Sequence, residues 1–316
     1  MSQSIEIPFQ APFLRWSPYA DGPATGGWSP NGLGYGTTQP NSTGAFRWTQ
    51  GVGSTLELQF NGTAAYIYGS VYGSPSYTVT LDDSTTSPAV DNTELGSFTG
   101  LSASSEHQLI LNVTEAGTDD WLALNKVVIS VPRNGQANYT FDDADTDHFS
   151  YSCFVQRSLG GTYKQTTTYT QAKNAYATVN FTGSSIYMFG SIQPDHGLYS
   201  VSVDGQPATT FNGSSRAGLT QQLLFFGSGY DASKTHIITV TDADGSKLDM
   251  DYIVTWAAPD TTRQRQIAGI SVGAIVAAII VIGVVLWIWR TERNGRRKLN
   301  TYIREYVEKS QQVRLH

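Results

Sequence analysis

Residues 56–70 read LELQFNGTAAYIYGS, and residues 177–191 read ATVNFTGSSIYMFGS. Six aromatic, glycine and serine positions correspond at a shift of 121 residues, from Phe60 and Phe181 to Ser70 and Ser191. Four more correspond at a shift of 122 residues in the segments that follow. A repeat of this length indicates tandem domains, because solenoid repeats have periods of roughly 20–50 residues. The chain therefore contains two copies of one unit.

The alternation of apolar and polar residues within each copy predicts half-buried β-strands. Residues 56–60 and 199–203 alternate in this way and are rich in aromatic and branched side chains. We expect hairpins at residues 61–62 and 182–183, because glycine tolerates the positive φ of tight turns. Short antiparallel strands bury their apolar faces by packing two sheets together. The predicted fold class is all-β, with two tandem jelly-roll β-sandwich domains followed by one transmembrane α-helix.

An apolar span and a basic tail follow the two copies. The predicted segments are a first sandwich (1–132), a second sandwich (133–259), a juxtamembrane stalk (260–266), a transmembrane helix (267–289) and a cytoplasmic tail (290–316). The 23 residues of the span carry no charge. As a helix they extend roughly 34 Å, enough to cross a hydrocarbon core of about 30 Å.

Charge and glycosylation motifs predict the orientation of this span. The tail has eight basic and three acidic residues, whereas the part before the span has 12 basic and 23 acidic residues. Basic segments stay in the cytosol, which places the N-terminal part outside the cell. Six sequons precede the span and are predicted to carry glycans, although Asn-Gly-Thr is also ordinary turn sequence. They begin at Asn41, Asn61, Asn112, Asn138, Asn180 and Asn212.

The first residues and the single cysteine bear on the cellular location. Residues 1–12 have neither the basic nor the apolar region of a signal peptide. We expect that a signal peptide is encoded upstream of residue 1. We also expect the protein to lie in the plasma membrane, with its C-terminus in the cytoplasm. The alternative is a tail-anchored protein with its large part in the cytosol, which would leave six sequons unused. Cys153 has no second cysteine in the chain with which to form a disulfide.

A resemblance to a known family appears in the order of motifs between Phe141 and Val254. The segments FDD, GGTY, FTGSSIYMFGS, YSVSVDG and LDMDYIV follow one another there. This order resembles a group of fungal single-pass membrane proteins with tandem galactose-binding-like jelly rolls outside the cell. The resemblance covers nearly all of the N-terminal part and the span, and the first copy lacks the FDD opening. It implies the fold and the topology but little function, because most members are uncharacterised.

Aromatic residues in the irregular stretches of the first copy are candidate ligand-binding residues. Sugars pack their apolar faces on aromatic rings while neighbouring polar groups bind the hydroxyls. Long loops such as residues 17–44 are where binding residues tend to lie. The alternative is that these side chains fill the sandwich core. The candidates are Trp16, Trp28, Tyr35, Trp48 and Trp121.

An acidic cluster at the start of the second copy is a weak candidate for a metal site. It contains Asp142, Asp143, Asp145 and Asp147. An EF-hand is excluded, because His148 and Phe154 stand where its glycine and glutamate would be. A structural Ca²⁺ ion and solvated or capping carboxylates both remain open. We expect a structural role for His107 and His236, which precede comparable strands of the two copies.

No catalytic motif is present in the sequence. It has neither a Gly-x-Ser-x-Gly elbow nor a phosphate-binding loop, and its acidic N-terminal part would repel nucleic acid. We predict a non-catalytic extracellular protein that binds a polysaccharide or a glycoprotein. The alternatives are a structural or adhesive glycoprotein and, less favoured, a carbohydrate-active enzyme.

The span and the tail suggest further partners. Gly269 and Gly273 would let two helices approach closely, as in a homodimer. In the tail, apolar residues recur at helical spacing within 299–307, after three basic residues at 296–298. This pattern predicts a short amphipathic helix that binds anionic lipid or a cytosolic partner.

Overall fold

The computed structural model describes residues 2–31, 45–82, 84–86, 93–133 and 137–257. The predicted stalk, transmembrane helix, tail and homodimer contact lie outside these residues, as do Tyr35 and Asn41. Within them, no helix has the length and hydropathy needed to cross a membrane. The described part consists of strands, loops and one short 3₁₀ helix, Tyr163–Gln165. The prediction of an all-β class is confirmed for this part of the chain.

Among the described residues of the first half (2–31, 45–82, 84–86 and 93–133), eleven strands form two antiparallel sheets. The strands are β1 (Ser2–Pro8), β2 (Arg15–Ser17), β3 (Ser29–Asn31), β4 (Phe46–Thr49), β5 (Thr55–Asn61), β6 (Ala64–Tyr72), β7 (Ser76–Leu81), β8 (Ser84–Thr86), β9 (Glu94–Thr99), β10 (Glu106–Glu115) and β11 (Trp121–Pro132). One sheet has the order β3-β4-β11-β6-β9 with β1 also paired to β11, and the other has the order β2-β5-β10-β7-β8.

Twelve strands form three antiparallel sheets in the second half, residues 137–257. The strands are β12 (Ala137–Asp142), β13 (Phe149–Ser152), β14 (Val155–Ser158), β15 (Thr166–Thr170), β16 (Tyr176–Thr182), β17 (Ser185–Ile192), β18 (Leu198–Val203), β19 (Thr209–Asn212), β20 (Leu219–Ser228), β21 (Thr235–Asp242), β22 (Leu248–Met250) and β23 (Tyr252–Ala257). Their orders are β12-β23-β17-β20, β13-β16-β21-β18-β19 and β14-β15-β22.

Each half has its own hydrophobic core. In the first, Leu58 of β5 and Leu109 of β10 belong to the same buried cluster as Ile67 of β6. In the second, Val179 of β16 and Met188 of β17 share a buried cluster. Each cluster joins residues from two sheets, so the apolar positions of the period-two pattern are buried between them.

The two predicted hairpins are wrong. β5 and β6 belong to different sheets of the first half, and β16 and β17 belong to different sheets of the second. The glycine between each pair therefore lies where the chain crosses from one sheet to the other. A Cβ on Gly62 would come within 2.8 Å of the Ser130 carbonyl oxygen, and one on Gly183 within 2.3 Å of the Trp256 carbonyl oxygen. Close approach of the backbone is the reason for glycine at both crossings.

The two halves are joined by an apolar seam on the outer face of β17, β20 and β23. The side chains that form the seam from the second half are Tyr187, Phe189, Leu223, Phe226, Val254 and Trp256. They pack against the cluster of the first half that includes Ile5 and Val131. Gln3 Nε2 donates a hydrogen bond to Tyr187 Oη at 3.1 Å. The described residues accordingly belong to one compact unit.

Candidate functional site

Four aromatic side chains from three adjacent strands form a row on the outer face of the first half. The Trp121 ring on β11 lies within 8° of parallel to Tyr72 on β6, with ring centroids 5.5 Å apart. It lies within 4° of parallel to Phe46 on β4, with centroids 6.2 Å apart. Trp48 meets Trp121 edge-on at 6.3 Å. We call Phe46, Trp48, Tyr72 and Trp121 the aromatic row. Tyr72 is 58% exposed, so the row is open to solvent.

Strand alternation and register produce this row. Both aromatic residues of β4 are half-buried and face outward, whereas Arg47 between them is buried and faces inward. Antiparallel pairing sets Trp121 opposite Tyr72. It also sets the small, fully buried Ala123 opposite Trp48. Side chains on the same face of adjacent strands lie about 5 Å apart, which brings the rings into contact.

The same outer face continues along β6. Tyr68 and Tyr66 are half-exposed on it, and Lys126 Nζ lies 5.7 Å from the centre of the Tyr68 ring. By the sequence repeat, the equivalent residues of the second half are Tyr187 and Phe189. In the seam, Tyr187 is buried and Phe189 packs partly buried against the cluster of the first half. One copy thus uses this aromatic face for packing, while the other leaves it open.

Asp120 fixes the loops beside the row. Its carboxylate accepts hydrogen bonds from the amides of Ser74 at 3.0 Å and Gly117 at 2.8 Å. Gly73 has a φ of +75°, and a Cβ there would lie 1.9 Å from Asp120 Oδ1. This bridge holds the loop after Tyr72 against the loop before β11, so Tyr72 and Trp121 keep their relative positions.

The structure separates the five aromatic residues that the sequence singled out. Trp48 and Trp121 lie in the aromatic row. Trp28 is 0% exposed, and its Nε1 donates to the Thr55 carbonyl at 2.9 Å. Trp28 is therefore a core residue, and its prediction as a ligand-binding residue is wrong. Trp16 is half-buried with its ring 4.8 Å from that of Trp28. Tyr35 lies outside the described residues.

Sequence reasoning missed two members of the row. Tyr72 ends a strand in which every second residue from Tyr66 onward faces outward, and Phe46 lies two residues before Trp48. The period-two spacing of aromatics in both segments is the signal that indicates them. This spacing alone does not identify the row. The strand pairing is also needed, because it places β4 and β6 on either side of Trp121.

The four acidic residues proposed as weak metal ligands do not form one site. Asp143 is buried and accepts hydrogen bonds from the hydroxyls of Thr166 at 2.8 Å and Thr168 at 2.5 Å. Asp145 instead accepts from the Asp147 amide at 3.1 Å. Across the residues that the structure describes, no group of three or more His, Cys, Asp or Glu side chains is arranged to hold a metal ion.

A fully buried carboxyl group lies close to Asp143. Asp251 Oδ1 accepts from the Tyr163 amide at 2.8 Å, and Oδ2 has no hydrogen-bond partner among the described residues. Burial raises the pKa of Asp251 to about 8, with further upward contributions from Asp143, Asp249 and Asp142. The Tyr163 hydrogen bond opposes that rise. Asp251 is therefore mostly protonated at neutral pH.

A histidine–aspartate contact occurs at the same place in both halves. His107 Nδ1 lies 2.9 Å from Asp82, and its Nε2 lies 2.9 Å from the Ser102 carbonyl. His236 Nδ1 lies 2.7 Å from Asp204 in the same way. The hydrogen bond from the histidine lowers the pKa of each aspartate. Both histidines tie a turn to the strand that follows it.

The five sequons within the described residues differ in exposure. Asn138, Asn180 and Asn212 are exposed on strands β12, β16 and β19. Asn61 and Asn112 are half-buried. The Asn61 carbonyl also accepts a hydrogen bond from Ser228 across the junction of the two halves at 2.8 Å. A glycan therefore has free access to the first three positions but not to the last two.

Comparisons with known proteins found no matching family model and no matching curated protein. Among solved structures, a xanthan lyase from Paenibacillus matches with 14% identity and a TM-score of 0.29, over 73% of this chain and 26% of that one. The CBM22 tandem of Paenibacillus barcinonensis Xyn10C matches with 13% identity and a TM-score of 0.26, over 80% and 97%. The tandem CBM51 modules of Streptococcus pneumoniae Sp3GH98 match with 10% identity and a TM-score of 0.29, over 80% and 99%. Similarities of this degree assign neither a family nor a ligand to this chain.

Proposed function

We propose that this chain is a non-catalytic saccharide-binding protein that holds its ligand on the aromatic row. The observation that carries the proposal is the set of three nearly parallel rings on adjacent strands, with Tyr72 more than half exposed. A sugar ring has apolar C–H faces that pack on aromatic surfaces. Exposed aromatic groups are otherwise disfavoured on a soluble surface and mark sites of interaction.

The contrast between the two halves supports this proposal. The second half covers its equivalent aromatic face with the seam, which is the ordinary way to remove apolar surface from water. The first half leaves Tyr66 and Tyr68 partly exposed and Tyr72 58% exposed. Half-exposed Ser70 lies between Tyr68 and Tyr72 on this face and offers a hydroxyl that can bind a sugar hydroxyl.

The buried ionisable groups support a non-catalytic role. Asp143 and Asp251 lie close together, but both are buried and have almost no contact with solvent. His196 has Asp195 at 2.8 Å from Nδ1 and Asp249 at 3.2 Å from Nε2. With both ring nitrogens bound to carboxylates, this histidine has no free nitrogen with which to activate a nucleophile.

The test compares two exposed tyrosines. The full-length protein is expected to bind at least one of insoluble chitin, cellulose or β-1,3-glucan, or soluble xylan or mannan in affinity electrophoresis. Tyr72→Ala and Trp121→Ala should each weaken that binding about tenfold, which corresponds to about 1.4 kcal/mol. The matched control is Tyr176→Ala, which removes a 46% exposed tyrosine of the second half.

Two results would contradict the proposal. One is a folded wild-type protein that binds none of the five polymers. The other is binding that Tyr72→Ala and Tyr176→Ala reduce equally, because a general loss of surface aromatics would then explain it. Circular dichroism of each variant should match the wild type, so that loss of binding is not loss of fold.

We also propose that the chain is anchored in the plasma membrane with both halves outside the cell. The uncharged span and the basic tail support this orientation, and a tail-anchored protein remains the alternative. In this orientation, the exposed sequons face the compartment in which asparagine is glycosylated.

When expressed in a eukaryotic secretory host, the protein is expected to carry glycans at Asn138, Asn180 and Asn212. Occupancy at Asn61 and Asn112 should be several-fold lower, because their side chains are half-buried. Mass spectrometry of peptides after enzymatic release of glycans measures each position. If none of the three exposed positions carried a glycan, the proposed orientation would be contradicted. Equal occupancy at all five positions would contradict the argument from burial.

A further inference from the structure

A cleft of about 520 Å³ lies between the two halves, away from the outer face that carries the aromatic row. Its wall from the first half includes Gln10, Trp16 and Arg47, and its wall from the second half includes Leu198 and Phe211. The volume falls in the range of small-molecule sites, roughly 300–1,000 Å³. The first wall therefore offers charged, polar and aromatic groups, and the second adds hydroxyl and amide side chains to its apolar ones, namely Thr210, Asn212, Ser214 and Ser215.

A buried arginine lies at the base of the cleft. Arg47 is only 7% exposed, and its Nη2 donates to Asp21 Oδ1 at 3.0 Å. Its guanidinium carbon lies 4.7 Å from the centre of the Trp16 ring. Burial lowers the pKa of Arg47 to about 10 and the Asp21 carboxylate opposes that shift, so the side chain is charged at neutral pH.

Two buried polar atoms of residues that line the cleft have no hydrogen-bond partner among the described residues. They are Arg47 Nε, a donor, and Gln10 Oε1, an acceptor. Leaving such buried atoms unpaired is unfavourable, because they have lost their hydrogen bonds to water. A ligand that accepts from the guanidinium and donates to the amide oxygen would recover this cost. A sugar carries hydroxyl groups that do both.

The charge of the cleft favours an acidic sugar. Arg47 and Arg15 contribute two positive charges to the lining, against one negative charge from Asp21. Arg15 is half-exposed, and its guanidinium lies 3.7 Å from Glu57. Charge-assisted hydrogen bonds from a buried arginine to a carboxylate are among the strongest in proteins. The lining residues sum to one positive charge, which Glu57 balances from beside Arg15, so the buried Arg47 guanidinium is the group that would bind a carboxylate.

We propose that the cleft between the two halves is a second ligand site, which binds a saccharide bearing a carboxylate through Arg47, Gln10 and Trp16. The carboxylate pairs with the guanidinium, and a ring hydroxyl donates to Gln10 Oε1. On the opposite wall, the apolar side chains of Leu198 and Phe211 contact the C–H face of the sugar. This site is independent of the aromatic row.

The experiment uses two matched pairs of sugars, D-glucuronate with D-glucose and D-galacturonate with D-galactose. Each pair differs only at C6, where a carboxylate replaces a hydroxymethyl group. Ligand-observed NMR titrations with the full-length protein are expected to show at least one uronate binding about fivefold or more tightly than its neutral counterpart.

Substitutions at the rim test the electrostatics without disturbing Arg47. Leu198 is 42% exposed, so charged replacements are tolerated there. Leu198→Asp should bind uronate about ninefold more weakly than Leu198→Lys does, whereas the two variants should bind neutral sugars equally, because they share the loss of the leucine and differ in charge. Trp121→Ala should leave uronate binding unchanged, which separates this site from the aromatic row.

Three results would overturn the proposal. The first is that neither uronate binds more tightly than its neutral counterpart. The second is that the Leu198→Asp and Leu198→Lys variants bind uronate equally, and the third is that Trp121→Ala abolishes uronate binding. The last result would assign the uronate to the aromatic row and leave the proposed function intact. Failure of polymer binding at the row, with the uronate pattern preserved, would remove only the proposed function.

Discussion

Replacing Trp28 by alanine is expected to lower the free energy of unfolding by about 3–5 kcal/mol, as other large aromatic-to-alanine changes in protein cores do. Trp28 is fully buried, it is among the largest side chains of the core, and its indole N–H pairs with the Thr55 carbonyl. Alanine would leave a cavity and an unpaired carbonyl next to Trp16. Urea unfolding followed by circular dichroism measures the change as a shift of the midpoint.

Two comparisons make this prediction specific. Trp28→Phe keeps an aromatic ring but loses the indole donor, so we expect a smaller loss of about 1–2 kcal/mol. Tyr176→Ala, at an exposed position, should change stability by less than about 0.5 kcal/mol. A loss of less than about 1 kcal/mol for Trp28→Ala would refute its assignment to the core and return it to the candidate binding residues.

The second large effect is expected in the dependence of stability on pH. In the folded protein the pKa of Asp251 is raised to about 8, whereas in the unfolded chain it is about 4. Between these values the folded state keeps a proton that the unfolded state releases. The free energy of unfolding therefore falls as the pH rises through this window, and the loss is complete above pH 8.

The variant Asp251→Asn should remove this dependence. At pH 8 we expect it to be more stable than the wild type by about 1–3 kcal/mol, and at pH 4 nearly equal to it. The repeat offers a precedent, because LALNKVV parallels LDMDYIV and places neutral Asn125 at the position of Asp251. The backbone contact is shared, since the amides of Phe9 and Asp143 donate to the carbonyls of Asn125 and Asp251 respectively.

Urea unfolding at pH 4, 6 and 8 measures the effect. The control is Asp147→Asn, an exposed carboxyl whose replacement should leave the pH dependence unchanged. Asp142 also has a raised pKa from burial and from Asp143, so a shallow slope should persist in Asp251→Asn. Equal slopes for the wild type and Asp251→Asn would show that this carboxyl ionises freely in the folded state.

The strands of the fold were predictable wherever one face is buried and the other is open. The alternation in residues 56–60 identified β5, because this strand has one face in the core and the other outward. In β17 almost every residue is buried, since the seam covers the face that solvent would otherwise contact. Burial on both faces removes the alternation, so the sequence could not show that the two halves pack against each other.

The candidate site was predictable in part for a related reason. Composition pointed to Trp48 and Trp121, but it could not separate them from Trp28, because a tryptophan suits a core as well as a surface. The difference depends on register and strand phase, which place Trp121 opposite Tyr72 and bury Trp28. The hairpin error arose in the same way, because a glycine required by close backbone approach at Gly62 looks identical to one required by a turn.

The apolar seam has a consequence for how this chain can change in evolution. Either copy alone would present its side of the seam to water, including Tyr187, Leu223 and Trp256 in the second copy. A large exposed patch of this kind promotes aggregation. Recombination that moves one copy into another gene is therefore penalised, although each copy has its own core. We therefore expect the two copies to be inherited as a pair. Surface residues outside the seam can change more freely than the seam residues.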